Sequence, residues 1–393
     1  MHPPRKGLQP LPGQDRVPGV RILIDYRPAL RERTGVGEYV HQLARALAAG
    51  PDELTLFTSS WKDRPSAESV AELGGPVLID RRIPVRLLTL AWHRLGWPPV
   101  ESLCGRSFDV AHSPHPLLLP SSRAAQVVTI HDLDFLAHPE RAGAEMRRDY
   151  PRLVRAHAHR ADAVIVPSRY TASQVRQRLD VPPERVCVCP EGVPPEWTPA
   201  PAGAARSRDG YLLFVGTLNA RKNVAGLLAA YEMLLPRHPD VPPLVLAGNS
   251  SPGAAPLLDR LSRPPLAGRV RHLGYVPASD RRRLYEGASV LVLPSFDEGF
   301  GLPIVEAMAL GVPVVASNRG ALPEIVEDAG LLVDPDDPAA LSAAIDRLLC
   351  DASSAAKLAE RGSGRARAFT WSRTAELTRA AYEQAIERRR HRG

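Results

Sequence analysis

EGFGLPIVEAMALG, residues 298–311, follows the apolar run 288–293 and precedes a second apolar run, 314–316. The order reads as strand, glycine loop, helix, strand. Gly299 and Gly301 let the backbone come close to a ligand. Pro303 suits a first helical turn, where its missing N–H costs nothing. Free N–H groups at such a helix start attract anions and hydroxyls. Glu298 and Glu306 stand eight residues apart around that loop. The segment therefore offers two carboxylates beside backbone donors, a set suited to a polyhydroxyl ligand.

The same alternation extends outward. In the first half, strands are expected at 20–25, 54–58, 76–79, 110–112, 127–130 and 163–166, with a helix over 38–49. In the second half they are expected at 211–215, 244–247, 270–273, 289–293 and 314–316. Helices are expected there over 224–235, 278–286 and 304–310. Short apolar strands alternating with helices argue for parallel, doubly wound sheets. The plan appears twice, which predicts an α/β protein of two Rossmann-like doubly wound parallel-sheet domains facing an interdomain cleft. Ligands of such sheets bind beyond the carboxyl ends of the strands. The division expected is a disordered extension over 1–19 and a first domain over 20–190. A Pro/Ala/Gly-rich linker over 191–210, a second domain over 211–370 and a terminal helix over 371–393 complete it.

The 393 residues suit two domains better than one core. A net charge of +7 fits an anionic ligand or an anionic lipid surface. With 5% aromatics and no run that interleaves them with Lys and Arg, the chain does not read as a nucleic-acid binder. No Cys-x2-Cys pair occurs among the four cysteines, and Cys187 and Cys189 alternate on one strand face. They read as buried free thiols, consistent with a reducing cytoplasm. The chain has no apolar run near the roughly 18 residues of a spanning helix, and residues 1–19 lack a signal-peptide core.

The Glu298/Glu306 pair resembles the E-x7-E motif of glycosyltransferase family 4, retaining enzymes of the GT-B fold. Other segments resemble the family too. Gly216-Thr217-Leu218-Asn219-Ala220-Arg221-Lys222-Asn223 looks like its donor-diphosphate loop, and Thr34-Gly35-Val36-Gly37-Glu38-Tyr39 like its N-terminal glycine loop. Val164–Ser168 and Pro190–Val193 are similar to the end of its first domain, and the terminal helix to the segment that crosses back onto that domain.

The resemblance implies roles. A nucleotide-sugar donor leaves as a diphosphate whose bridging oxygen gains charge as the glycosidic bond breaks. Arg221 and Lys222 would stabilise that charge without a metal; the plainer alternative is a solvated pair at a helix start. Glu306 would accept hydrogen bonds from the ribose hydroxyls, against a first-turn carboxylate that merely complements the helix dipole. Glu298 would bind the donor sugar or steady positive charge at its anomeric carbon. Gly216, Thr217, Asn223, Gly299, Phe300, Gly301 and Leu302 complete the expected donor-binding set, with Gly35 and Gly37 facing it from the first domain. Gly35-Val36-Gly37 is only G-x-G and does not extend to the dinucleotide fingerprint. His131, beside Asp132 at a strand end, would lie against the donor sugar. His112 and His115 could line the acceptor side, and Glu324 could cap the helix that follows it.

These expectations amount to a retaining hexosyltransferase that uses a nucleotide-sugar co-substrate, with no cofactor and no metal. GDP-mannose is the favoured donor and a UDP-sugar its competitor. The acceptor would be a glycan, a lipid-linked molecule or a small molecule. Rival readings are a nucleotide-sugar 2-epimerase and a non-catalytic nucleotide-sugar-binding subunit. Residues 81–97 (RRIPVRLLTLAWHRLGW) and the arginine-rich 145–160 are candidate contacts for an anionic membrane face. The alternative for each is a helix packed on the sheet.

Overall fold

The computed structural model describes residues 19–30, 32–139, 149–197 and 210–392. Nearly all of the expected N-terminal extension, most of the expected linker, and Arg147 and Arg148 of the second basic stretch lie outside the described residues.

Two parallel sheets form the frame. The first contains β1 (Arg21–Asp25), β2 (Glu53–Thr58), β3 (Val77–Asp80), β4 (Val110–Ser113), β5 (Ala125–Thr129), β6 (Ala163–Val166) and β7 (Val186–Val188), in the order β3-β2-β1-β4-β5-β6-β7. The second contains β8 (Tyr211–Val215), β9 (Leu244–Ala247), β10 (Val270–Gly274), β11 (Ala288–Leu293), β12 (Val314–Ser317) and β13 (Leu331–Val333), in the order β10-β9-β8-β11-β12-β13. Every strand pair is parallel. Ile22, Leu23 and Ile24 alternate in direction yet all are fully buried. Helices therefore cover both faces, as continuous apolar strands require.

Strand order reverses between β1 and β4 in the first sheet and between β8 and β11 in the second. At such a switch point neighbouring loops leave in opposite directions and open a crevice at the carboxyl ends. The loops after β8 and β11 carry Arg221, Lys222 and Glu298, and those after β1, β4 and β5 carry Gly35, His115 and His131.

The chain passes between the sheets side by side at two points. Val193 N–H donates to Phe369 O (3.1 Å) beside a parallel bridge of Val193 to Thr370. A Cβ on Gly192 would stand 2.3 Å from Trp371 N, so only glycine fits there. The terminal helix Trp371–Arg392 then packs into the first lobe's core, burying Trp371, Ala381, Tyr382 and Ala385. Tyr382 Oη pairs with His112 Nδ1 at 2.7 Å, and Thr129 Oγ1 lies 2.8 Å from Nε2. His112 is fully buried, and burial pulls its pKa down to about 3. It is a neutral core residue and does not line the acceptor side. Of the cysteines, Cys104 and Cys189 are buried, Cys187 is half-buried on the edge strand β7 and Cys350 is exposed.

Candidate active site

The loop after β8 is pinned at both ends by asparagines. Asn219 Oδ1 accepts from Lys222 N–H (3.1 Å), closing the single turn Ala220–Lys222. Asn223 then takes a left-handed φ of 51°, a conformation asparagine tolerates. Its Oδ1 accepts from Gly226 N–H (3.2 Å) and its Nδ2 donates to Pro335 O (2.7 Å). Asn223 is thus occupied as the cap of the helix Val224–Leu234, and it fixes the two cations from behind. Gly216 leaves room for the Lys222 stem, whose Cε would lie 3.4 Å from any Cβ there. Thr217 is half-buried beside it.

Both cations turn onto Glu298. Lys222 Nζ stands 2.5 Å from Glu298 Oε1, which also accepts from Ser295 Oγ (2.7 Å). Arg221 Nη1 lies 3.4 Å from Oε2 and donates to Asp297 O (2.9 Å). Phe296 N–H donates to Arg221 O (2.8 Å), tying the β8 loop to the β11 loop. Burial pushes the Glu298 carboxyl up, but Lys222 and Arg221 outweigh it and hold it below its ordinary range. Burial likewise opposes the Arg221 charge, and Glu298 with Asp132 outweighs that too. The result is an anion clamped between two cations that stand where a phosphate could compete for them.

Glu306 is buried on the helix Leu302–Ala309. Tyr285 Oη donates to its Oε2 (2.6 Å), and Arg281 Nη1 lies 3.6 Å from its Oε1. Burial raises the Glu306 pKa, only partly offset by Arg281 and Tyr285, so the two carboxylates of the motif shift in opposite directions. Arg281 also reaches the first lobe, where its Nη2 lies 2.6 Å from Glu38 Oε2, an ionic contact off the hydrogen-bond direction. Gln42 Nε2 donates to the other Glu38 oxygen (2.8 Å). Sequence reasoning missed Glu38, Arg281 and Tyr285. Glu38 sat inside a quoted glycine loop, but nothing local marks Arg281 in its polar helix Ala278–Glu286.

From the first lobe, both His131 ring nitrogens face oxygens. Nδ1 lies 3.2 Å from Glu191 Oε1 and Nε2 lies 3.2 Å from Pro114 O. The ring meets Tyr39 edge-on at 4.7 Å. Asp132 Oδ2 reaches to 3.6 Å from Arg221 Nη1. Gly37 is buried with a Cβ position only 2.8 Å from Pro28 O, so its packing alone demands glycine, whereas Gly35 takes a φ of 30° over open space.

The lobes touch through the glycine loop itself. A Cβ on Gly299 would fall inside the His131 carbonyl, and Gly299 O accepts from Ser168 Oγ (2.6 Å) and Thr171 Oγ1 (3.1 Å). Phe300 buries its ring against Phe369, and Gly301, at φ 105°, begins the helix that Leu302 continues. Glu324 does not cap its own helix. Its two oxygens accept from Arg169 N–H (2.9 Å) and Tyr170 N–H (3.0 Å), at the start of the first-lobe helix Arg169–Leu179.

Beside this centre, the ends of β1 and β2 and the helix Val85–Leu95 enclose a pocket of about 520 Å³. Asp25 and Arg27 lie in its wall as a pair, Nη2 to Oδ2 at 2.6 Å, with His115 Nε2 3.4 Å from the same oxygen. Burial, with His115 and Arg27 nearby, lowers the His93 pKa to about 4, so this wall presents a neutral imidazole. Among the described residues His238, Asp346 and Cys350 also gather closely enough to share an ion, but Asp346 is already bound by His238 (2.6 Å) and Arg237 (2.9 Å).

Two family descriptions match the chain. "Glycosyltransferase Family 4" covers residues 33–197 and "Glycosyl transferases group 1" covers residues 199–365. The chain is 32% identical over 383 residues to the O-antigen chain mannosyltransferase B of Escherichia coli, covering 93% of this chain and all of that protein. In fold it is similar to sucrose-phosphate synthase from Thermosynechococcus elongatus, with a TM-score of 0.75 and 24% identity over 92% of this chain and 98% of the other. It is also similar to HepE of Anabaena in complex with UDP and glucose, with a TM-score of 0.70 and 19% identity over 92% and 98%.

Proposed function

The chain belongs to the group 1 and family 4 glycosyltransferases, and from that membership we propose that it transfers mannose from GDP-mannose to an acceptor hydroxyl with retention of anomeric configuration. Transfer of a hexose from a nucleotide sugar follows from the family and the GT-B frame. The narrower choice of mannose is supported by the mannosyltransferase at 32% identity. UDP-glucose is the competing donor, supported by the solved relative that holds UDP and glucose.

In this reading residues 20–190 carry the acceptor and residues 211–370 the nucleotide sugar. Arg221 and Lys222 take the diphosphate, exchanging part of their contact with Glu298 for phosphate oxygens. One observation carries the proposal: both cations converge on Glu298 at the carboxyl ends of β8 and β11, where the strand order reverses. Glu306 offers Oε1, which faces Arg281 at 3.6 Å and takes no hydrogen bond from Tyr285, to the ribose hydroxyls. Backbone N–H groups of the Gly299–Leu302 turn face the sugar.

The step is a same-face substitution. The bond from C1 to the phosphate oxygen breaks, the acceptor oxygen bonds C1 from the same side, and the acceptor proton passes to the departing phosphate oxygen. The two fixed cations hold the charge that builds on that oxygen, worth about 2.7–4 kcal/mol for a single well-placed donor. Their charge is the electrostatic element that a divalent ion would otherwise supply. Lobe contact excludes water and suppresses hydrolysis of the donor. The reaction belongs in the cytoplasm, with peripheral contact to a membrane.

A panel of nucleotide sugars, each with and without candidate acceptors, tests the donor. Acceptor-dependent GDP release from GDP-mannose, with an α-linked product by NMR, is expected. Acceptor-dependent release from UDP-glucose alone would replace the donor, and acceptor-independent epimerisation would replace the reaction.

A further inference from the structure

We propose that the outer face of the helix Val85–Leu95 docks on an anionic phospholipid bilayer, setting the pocket it walls over the head of a membrane-anchored acceptor. The inference rests on the glycosyltransferase reading and deepens its acceptor side.

The helix has three stripes. Leu88 and Trp92 face the core. Arg86, Thr89 and His93 face the pocket. The third stripe, Leu87, Leu90 and Arg94, faces outward, with Leu87 61% and Leu90 57% exposed. A surface helix normally reserves that stripe for polar residues. The apolar surface includes Leu95 at the helix end and continues past it to Trp97, 66% exposed. At the pocket's rim, Trp61 is 70% exposed in the loop whose Ser60 and Asp63 line the same cavity. Six of the ten large exposed hydrophobic residues among those described, Trp61, Val85, Leu87, Leu90, Leu95 and Trp97, lie on this helix, just beyond it or in the loop that lines the same pocket.

Charge chooses the occupant. Between Arg81 and Val100 there are four arginines and no acidic residue. Among the described residues Arg82 and Arg86 make no ion pair, and Arg94 reaches Asp149 only at 3.8 Å. A protein partner on this face would bury guanidinium groups that have no ion pair among the described residues. An anionic headgroup layer satisfies them while leucine and tryptophan enter the acyl boundary. No helix among the described residues is long and apolar enough to cross a membrane, so the contact is a docking one. The pocket is also correctly placed to receive an acceptor. His115 in its wall follows Pro114, whose carbonyl holds His131.

The test is co-sedimentation of the full chain with vesicles of phosphatidylcholine alone or mixed equally with phosphatidylglycerol. Binding is expected to the mixed vesicles, weakening as salt is raised. The double variant Leu87→Glu, Leu90→Glu is expected to lose about tenfold or more in vesicle affinity while keeping its melting temperature and its binding of nucleoside diphosphate. Brominated lipids should quench tryptophan emission, and the quenching should fall in Trp61→Phe. Equal binding to neutral vesicles, wild-type binding by the double variant, or unchanged quenching in Trp61→Phe would overturn the proposal. So would self-association of the chain that the double variant abolishes. Loss of nucleotide binding in the unmodified chain would instead count against the glycosyltransferase reading, which vesicle binding does not touch.

Discussion

Lys222 Nζ lies 2.5 Å from Glu298 Oε1, and Arg221 holds the other oxygen of the same carboxylate at 3.4 Å. Glu298 thus assembles the two cations before a diphosphate arrives, at the cost of competing with it. Glu298→Gln should therefore leave nucleoside diphosphate affinity unchanged or tighter, while turnover falls by about 10²–10³. Calorimetric titration and steady-state kinetics separate the two effects. Weaker diphosphate binding would mean that Glu298 supports the anion site instead of opposing it.

The same carboxylate links stability to pH. Its folded pKa lies below the unfolded value, so the stability it contributes is complete above the unfolded carboxylate pKa. That contribution is lost as pH falls through the folded pKa. Glu298→Gln should be less stable than the parent at neutral pH and lose less on acidification. Melting curves at neutral and acid pH check this.

Lys222→Ala should lower turnover by roughly 10²–10³ at saturating donor, since one donor to a developing charge is worth about 2.7–4 kcal/mol. An unchanged kcat would remove Lys222 from the chemistry.

Glu306 carries the opposite shift, so it gains its proton above the ordinary carboxylate range as pH falls. A protonated carboxyl is a poorer acceptor for ribose hydroxyls. The acid limb of kcat/KM for the donor should thus lie above that range and vanish in Glu306→Gln. Glu306→Ala should mainly raise donor KM. An effect confined to acceptor KM would contradict ribose binding.

The short apolar strands, their doubling and the two carboxylates were legible in the sequence because each depends on neighbours a few residues apart. The relations that join the lobes were not. Arg281 bridges Glu38 and Glu306 from a helix with three consecutive arginines, and no local pattern distinguishes the one that turns inward. Glu324 was readable as a cap, but the helix it caps begins 155 residues earlier on the other lobe. Asn223 looked like a ligand residue because its loop resembles the family's donor-diphosphate loop, yet its hydrogen bonds to Gly226 and Pro335 use both ends of its amide. His112 had two open readings from its strand-end position, acceptor lining or core. A strand-end position says nothing about the terminal helix that covers it.

Gly299 lies against the first lobe with no room for a side chain. Gly299→Ala would force its Cβ into the His131 carbonyl, so each lobe should keep its fold while their approach is blocked. A larger radius of gyration in solution scattering and a fall in turnover should appear together. Glu324→Ala should act more mildly, by about 1 kcal/mol, through loss of the cap.

A structure with nucleoside diphosphate bound, grown in EDTA, tests the central claim most directly. The account predicts the β-phosphate oxygens within hydrogen-bond distance of Arg221 and Lys222, and the ribose hydroxyls on Glu306. A diphosphate lodged away from both cations, or one bound only when a divalent ion is restored, would contradict it.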